Sequence, residues 1–272
     1  MRRRVPSVAM ACVAAALSSG CAQQTSESEA QAAGNGSAAA ASPYANYTQA
    51  VRAAVQKTRE TSARTVMKTE MGTTPGEPTH TITAKGAHDF ARNSGTVNSK
   101  VEDVAEFDLV LTPERIYVRG TAGTETVPWS YTGRADAKVQ HALRAPGNDP
   151  AHLLRQASMS SEYDRFGTET VAGTATTRYH APLSHKALVL NMSKEMLGKS
   201  EQLRDMLGGE IPATADVWVD KQQRAVQIRL SMNIPGAVSS TTTLTLTDLG
   251  RAVKVTVPTA EGALDSDAPL AG

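Results

Sequence analysis

Val217-Trp218-Val219-Asp220, the turn Lys221-Gln222-Gln223-Arg224, and then Ala225-Val226-Gln227-Ile228-Arg229-Leu230-Ser231-Met232 carry the pattern that decides the fold. Val217 and Val219 share a face. After the turn, Val226, Ile228, Leu230 and Met232 line one side while Gln227, Arg229 and Ser231 take the other. Leu244 and Leu246 repeat the device, a turn near Asp248-Leu249-Gly250 follows, and Val253, Val255 and Val257 continue it. Side chains alternate with period two along a strand, so strict alternation means one buried and one wet face, as in antiparallel sheet. The connections in this half are short enough for hairpins, and no βαβ rhythm appears.

Upstream the same period returns. Phe107, Leu109 and Leu111 alternate with Glu106 and Asp108, and Thr112-Pro113-Glu114-Arg115 turns the chain into Ile116, Tyr117 and Val118, which predicts a hairpin. Residues 64–71 and 79–92 alternate more weakly around the Gly72-to-Pro78 turn cluster. Three segments read as helices. Tyr47, Val51, Ala54, Val55 and Thr58 recur at helical spacing. Asp149-Pro150 is an N-cap followed by proline at the first helical position, leading into Leu153, Leu154 and Ala157. Ser193 caps a stripe of Met196, Leu203 and Leu207 that Gly208-Gly209 ends. The expected fold class is therefore α+β: a long antiparallel sheet whose apolar face the helices cover in part.

The inward face would comprise Phe107, Leu109, Leu111, Ile116, Val118, Val217, Val219, Val226, Ile228, Leu230, Met232, Leu244, Leu246, Val253, Val255 and Val257. With three Phe and two Trp in the chain, bulky plugs are scarce, so these positions (Val257 aside) are candidates for the wall of an apolar cavity. On that expectation Val226→Trp would occupy ligand space. The Met196/Leu203/Leu207 stripe reads first as core and second as a lipid-facing wall.

The run Gly167-Thr168-Glu169-Thr170-Val171-Ala172-Gly173 followed by Tyr179, the Val217-Trp218-Val219-Asp220 strand with Arg224 leading into the next, and the Asp149-Pro150 helix between the halves resemble actinobacterial lipoproteins of the LppX/LprG type. The resemblance runs from about residue 44 to 260 and rests on turn glycines and strand alternations. It implies a LolA-like fold: a strongly curved antiparallel sheet, a half-barrel, with helices packed on its concave side and an apolar cavity between. It implies an acylated lipid or glycolipid as ligand, bound and carried at the cell envelope, and it implies no catalytic residue. The alternative is a sensor or protein-interaction module on the same fold, regulating a membrane partner. The two differ in whether the concave side is hollow or filled. The identity of any transporter or regulator partner is left open.

The N-terminus supplies the address. Met1-Arg2-Arg3-Arg4, the apolar stretch Val5–Leu17 and Ser18-Ser19-Gly20-Cys21 read as a secretory signal. Small residues ahead of Cys21 resemble a bacterial lipoprotein signal, which implies a cysteine diacylated through a thioether to diacylglycerol, with palmitate among its acyl chains, that becomes the new N-terminus. Leu17 stands four residues before Cys21, one earlier than that pattern places its leucine. The alternative is a secreted protein in which Cys21 is incidental. The expected organisation is a lipoprotein signal peptide over 1–20, a lipidated N-terminus and flexible Ala/Gly/Ser tether over 21–43, a lipid-binding domain over 44–261 and a disordered tail over 262–272. The expected location is the cell membrane, lipid-anchored on its extracytoplasmic face.

Composition excludes other classes. Lys+Arg is 28 against 27 Asp+Glu, and losing Arg2–Arg4 with the signal leaves 25 against 27, or −2, which is no electrostatic footprint for nucleic acid. Of the two cysteines only Cys21 survives that cleavage, so no internal disulfide and no multi-thiolate zinc site can form. No serine-hydrolase elbow, zincin motif or phosphate-binding loop occurs, so neither an enzyme nor a cofactor is expected. His80 and His88 share parity in an extended stretch and read as exposed strand histidines before metal ligands. His180 and His185, around Pro182, read likewise. Asp216 and Asp220 flank Trp218 on the face opposite Val217 and Val219; solvated strand carboxylates are the simpler reading, acid–base work the other. Trp218 either packs under a helix or fronts a ligand.

Overall fold

The computed structural model describes residues 46–263; the signal segment 1–20, Cys21, the tether 22–43 and residues 264–272 of the expected tail lie outside them. Helix α1 (Tyr47–Arg59) opens the described chain. The Asn46 side chain accepts a hydrogen bond from the Gln49 amide at its start, and the helix buries Ala50, Val51, Ala54, Val55 and Thr58. Six strands then run up and down: β1 (Ser62–Gly72), β2 (His80–Asp89), β3 (Ser94–Val101), β4 (Ala105–Leu111), β5 (Arg115–Ala122) and β6 (Glu125–Gly133). A long crossing segment leads to α2 (Pro150–Met159), whose N-cap is Asp149.

The second run is β7 (Asp164–Val171) and β8 (Thr174–Pro182), a short α3 (His185–Leu188), α4 (Lys194–Leu207), and then β9 (Ala213–Asp220), β10 (Ala225–Ile234) and β11 (Val238–Thr247). The two meanders join where β1 pairs antiparallel with β11. A last short strand, β12 (Gly262–Ala263), lies parallel to β6 at Ser130 and Tyr131. The twelve strands form one curved, unclosed, mostly antiparallel sheet in the order β12-β6-β5-β4-β3-β2-β1-β11-β10-β9-β8-β7. This is the α+β half-barrel architecture. The first two residues of the expected tail are thus part of the sheet.

Partner residues across an antiparallel ladder point to the same face, so the register fixes what lies inside. One row runs Val118, Leu109 and Val97, and another runs Val217, Ile228, Leu244 and Met67. All of these are buried in a single core, and α1 and α2 pack over β9 and β10 on that side. The segment between β6 and α2 fills the other half of the concavity. Leu143 is buried there, Asn148 Nδ2 donates to Ser99 Oγ at 2.8 Å, and a Cβ on Gly147 would stand only 3.1 to 3.3 Å from side-chain carbons of Ile116 and Leu109. Arg134 holds this segment down. Its Nη1 donates to the carbonyls of Asn93 (2.6 Å) and Thr112 (2.7 Å), and its Nη2 meets Asp149 Oδ2 at 2.5 Å.

Four expectations need correction. Val226 is not on the concave face. Val219 pairs with Ala225 and Trp218 with Gln227, so Val226 is the extra residue of a β-bulge. It packs with Trp218 and Val171 in a small second cluster on the convex side. Val253, Val255 and Val257 form no ladder; they belong to an extended segment, and Val257 is 52% exposed. Val255 and Val257 line a cleft with Tyr117, which faces away from the core, so the segment straps the convex side on its way to β12. His88 is not exposed. It sits on the concave face at 0% accessibility, its ring 4.7 Å from that of Phe90.

The convex carboxylates are also not solvated. Asp216 is 3% exposed and accepts from Arg178 Nε at 2.8 Å and Arg229 Nη2 at 3.1 Å, with His180 Nδ1 at 2.9 Å. Asp220 closes the β9–β10 turn, accepting from the Arg224 amide at 2.8 Å and its Nη2 at 2.7 Å. Trp218 lies beside this network, donating to Glu169 Oε2 at 2.9 Å, with the guanidinium carbons of Arg178 and Arg229 each 5.2 Å from its ring. It packs with Val171, Val226 and Leu249 on the convex side and is not among the residues lining the cavity described next. His185 is in α3 and pairs with Glu201 at 3.0 Å.

Candidate functional site

One end of the concave side is hollow. A cavity of about 420 Å³ lies between α4 and the ends of β1, β2, β10 and β11. Its floor follows from the register: Met71 pairs with Ser240, Ser240 with Met232, and all three line the space. Leu188, Met192 and Ile211 close its sides, and Met196, Ser200 and Leu203 of α4 form its roof. Methionine is unbranched and adaptable, so a wall of four methionines can accommodate chains of varied shape.

Local chemistry places α4. Ser193 caps it, its Oγ accepting from the Met196 amide, and Gly208 ends it at φ 66°, a left-handed conformation natural to glycine. The start of the helix is stitched to the crossing segment: the Val139 amide donates to the Asn191 carbonyl at 2.9 Å, and the Ser193 amide to the Val139 carbonyl at 3.0 Å. Beyond that point the helix is barely packed. Ser200 is its one buried residue, while Leu197, Met206 and Leu207 are exposed at 39%, 77% and 42%. Of the Met196/Leu203/Leu207 stripe, only Leu203 packs against the core. Two of its members wall the cavity and the third faces solvent.

The cavity's titratable lining groups are few. Lys199, His80 and His141 are among its lining residues, and no Asp or Glu is. Burial, with Arg144 and Lys199 close by, holds His141 below the usual histidine range. Burial also lowers Arg144 to about 10, and its Nε has no hydrogen-bond partner among the described residues. His80 approaches Glu102 at 3.8 Å. Among the described residues no cluster of His, Cys, Asp and Glu is arranged to hold a metal ion.

Of the residues expected to wall a cavity, Met232 lines this one. Leu109, Leu111, Ile116, Val118, Val217, Val219, Ile228, Leu230, Leu244 and Leu246 are in the filled core, and Phe107 packs against it. Val226, Val253 and Val255 lie elsewhere, as described above. Sequence reading missed Met71, Met192, Ile211 and Val238, which stand at strand ends or in loops where no alternation marks a face. It also passed over the two serines.

No family model matches the sequence, and no curated protein does. Among solved structures the chain is similar to the lipoprotein LppX of Mycobacterium tuberculosis, with 15% identity over 77% of this chain and 97% of that one, at a TM-score of 0.49. It is likewise similar to LprF of Mycobacterium bovis, with 14% identity over 78% of this chain and 96% of that one, at a TM-score of 0.48. The chain's own cavity and sequence carry the functional reading that follows.

Proposed function

We propose that this chain is a non-enzymatic lipoprotein, anchored through Cys21 on the extracytoplasmic face of the cell membrane, that binds and carries acylated lipid in the cavity beneath α4. The observation that carries the reading is a 420 Å³ apolar space roofed by a helix with a single buried residue. That volume is within the range of small-molecule sites. Each methylene taken from water is worth about 0.8 kcal/mol, so roughly ten methylenes supply about 8 kcal/mol before the cost of ordering the chain. No helix among the described residues is long and apolar enough to cross a membrane. The proposed attachment therefore rests on the lipobox-like Ser18-Ser19-Gly20-Cys21.

Mass spectrometry of organic extracts from the purified chain tests the reading. Acyl lipid should co-purify with the wild type. Leu203→Trp, which puts an indole into the cavity, should cut the load severalfold, while Val226→Trp should leave it unchanged and destabilise by about 1–3 kcal/mol through overpacking of the convex cluster. A chain that never carries lipid, or one unloaded by Val226→Trp and not by Leu203→Trp, overturns the proposal. For the anchor, Cys21→Ser should move the protein from the membrane fraction to the medium.

A further inference from the structure

The roof and the floor of the cavity each turn a hydroxyl toward it where an apolar side chain would be expected. In α4 the one buried residue is Ser200, although Leu197, Met206 and Leu207 stand exposed on the same helix. On the floor, Ser240 interrupts the row between Met71 and Met232. Ser200 is 8% and Ser240 4% exposed, both line the cavity, and neither Oγ has a hydrogen-bond partner among the described residues. A buried hydroxyl without a partner costs about 1–3 kcal/mol. On the sheet itself Thr69 and Thr242 bond each other at 3.0 Å, and Ser99 takes Asn148. Of the three buried serine hydroxyls without a partner among the described residues, Ser160 at the end of α2 lies elsewhere, and Ser200 and Ser240 both line this cavity. Beside Ser200, Lys199 brings an ammonium to the same wall; its Nζ donates to Glu195 Oε1 at 2.5 Å on the exposed side of α4, and no Asp or Glu is among the lining residues.

We infer that the cavity recognises the oxygen-bearing end of an acyl chain, with Ser200 and Ser240 donating to an acyl carbonyl or carboxylate oxygen and the hydrocarbon lying against the methionines. This rests on the lipid-binding reading above and deepens it by assigning the two hydroxyls that hold the oxygen of the acyl group. A pure hydrocarbon would leave both hydroxyls unmatched, whereas an acyl oxygen satisfies them. Two sources share this chemistry, a free fatty acid and an acyl ester, and they differ in charge at the head.

The test is competition against an apolar fluorescent reporter on the delipidated full chain, with hexadecanoic acid, methyl hexadecanoate and hexadecane as the probes. The acid, the ester or both should bind more tightly than the hydrocarbon. Ser200→Ala with Ser240→Ala should remove about tenfold of that preference, as two ordinary hydrogen bonds would, and leave hexadecane binding as it was. Because the double variant deletes unmatched polar groups, its melting temperature without ligand should equal or exceed that of the wild type, so misfolding cannot mimic the result. A preference for the acid that Lys199→Gln abolishes assigns the carboxylate; equal binding of acid and ester assigns the ester carbonyl. If all three probes bind equally and the serine variants change nothing, the inference is wrong while the lipid-binding reading stands. If no probe binds, the lipid-binding reading itself falls.

Discussion

His88 shows how much one side chain can be asked to tolerate. Neither ring nitrogen has a partner among the described residues, and burial lowers its pKa to about 4, with Asp149 and Asp89 pulling it up and Arg134 pushing it down. Gly95 opposite makes room for it: a Cβ there would fall 2.5 Å from His88 Nδ1 and 2.6 Å from the Ala87 carbonyl oxygen. His152 in α2 is also lowered to about 4 by burial. The consequence for stability has a definite sign. Above pH 6.5 both imidazoles are neutral whether folded or not, and they contribute no pH dependence. Between pH 6.5 and 4 the unfolded chain binds protons that the folded one refuses, so stability falls as the solution is acidified, by on the order of 3 kcal/mol per histidine at pH 4. Urea midpoints measured from pH 7 to 4.5 should decline, and His88→Leu should remove about half of the decline attributable to the pair. A His88→Leu chain with an unchanged acid slope would contradict this account of the buried ring.

At the scale of elements, the crossing segment between β6 and α2 depends on a charge pair that sequence reading did not foresee. Arg134 and Asp149 have side chains each 12% exposed, and Asp149 also caps α2 by accepting from the Ala151 amide at 3.0 Å. Asp149→Ala removes the cap, about 1 kcal/mol, and leaves a guanidinium buried without its counterion, about 3–5 kcal/mol. Asp108→Asn at the exposed pair with Arg119 should cost less than about 1 kcal/mol. Denaturant titration of the two variants checks the contrast. The Asp149-Pro150 helix start was plain in the sequence because capping chemistry is local, and so was the β4–β5 hairpin. What was not legible depended on partners far along the chain. The bulge that turns Val226 outward depends on a mismatch with β9, the Val253–Val257 strap keeps alternation without a neighbouring strand, and the charges of Arg178 and Arg229 convert Asp216 from a solvated carboxylate into a buried one. The cavity was the least visible part. Its wall is assembled from the ends of four strands and one face of α4, and periodicity is weakest at strand ends.

Across the described domain, packing is uneven in a way that bears on ligand entry. α1 and α2 bury five and six residues against the sheet and each other, whereas α4 buries one. Local opening costs free energy in proportion to the contacts it breaks, so amides in α4 should open far more readily than those in α1 and α2. An acyl chain beneath α4 would supply the contacts its inner face lacks, joining Met196 and Leu203 to Met71 and Met232 across the cavity. Hydrogen exchange followed by mass spectrometry separates these segments. In the delipidated chain, peptides covering residues 194–207 should exchange well before those covering 47–59 or 150–159. On loading with hexadecanoic acid the α4 peptides should slow several-fold, together with the strand ends around Met71 and Ser240, while the α1 peptides stay as they were. Equal protection of all three helices before loading would mean that α4 is held by contacts other than those described. A uniform slowing of the whole domain would mean that the chain binds where α1 and α2 pack, and not in the space beneath α4.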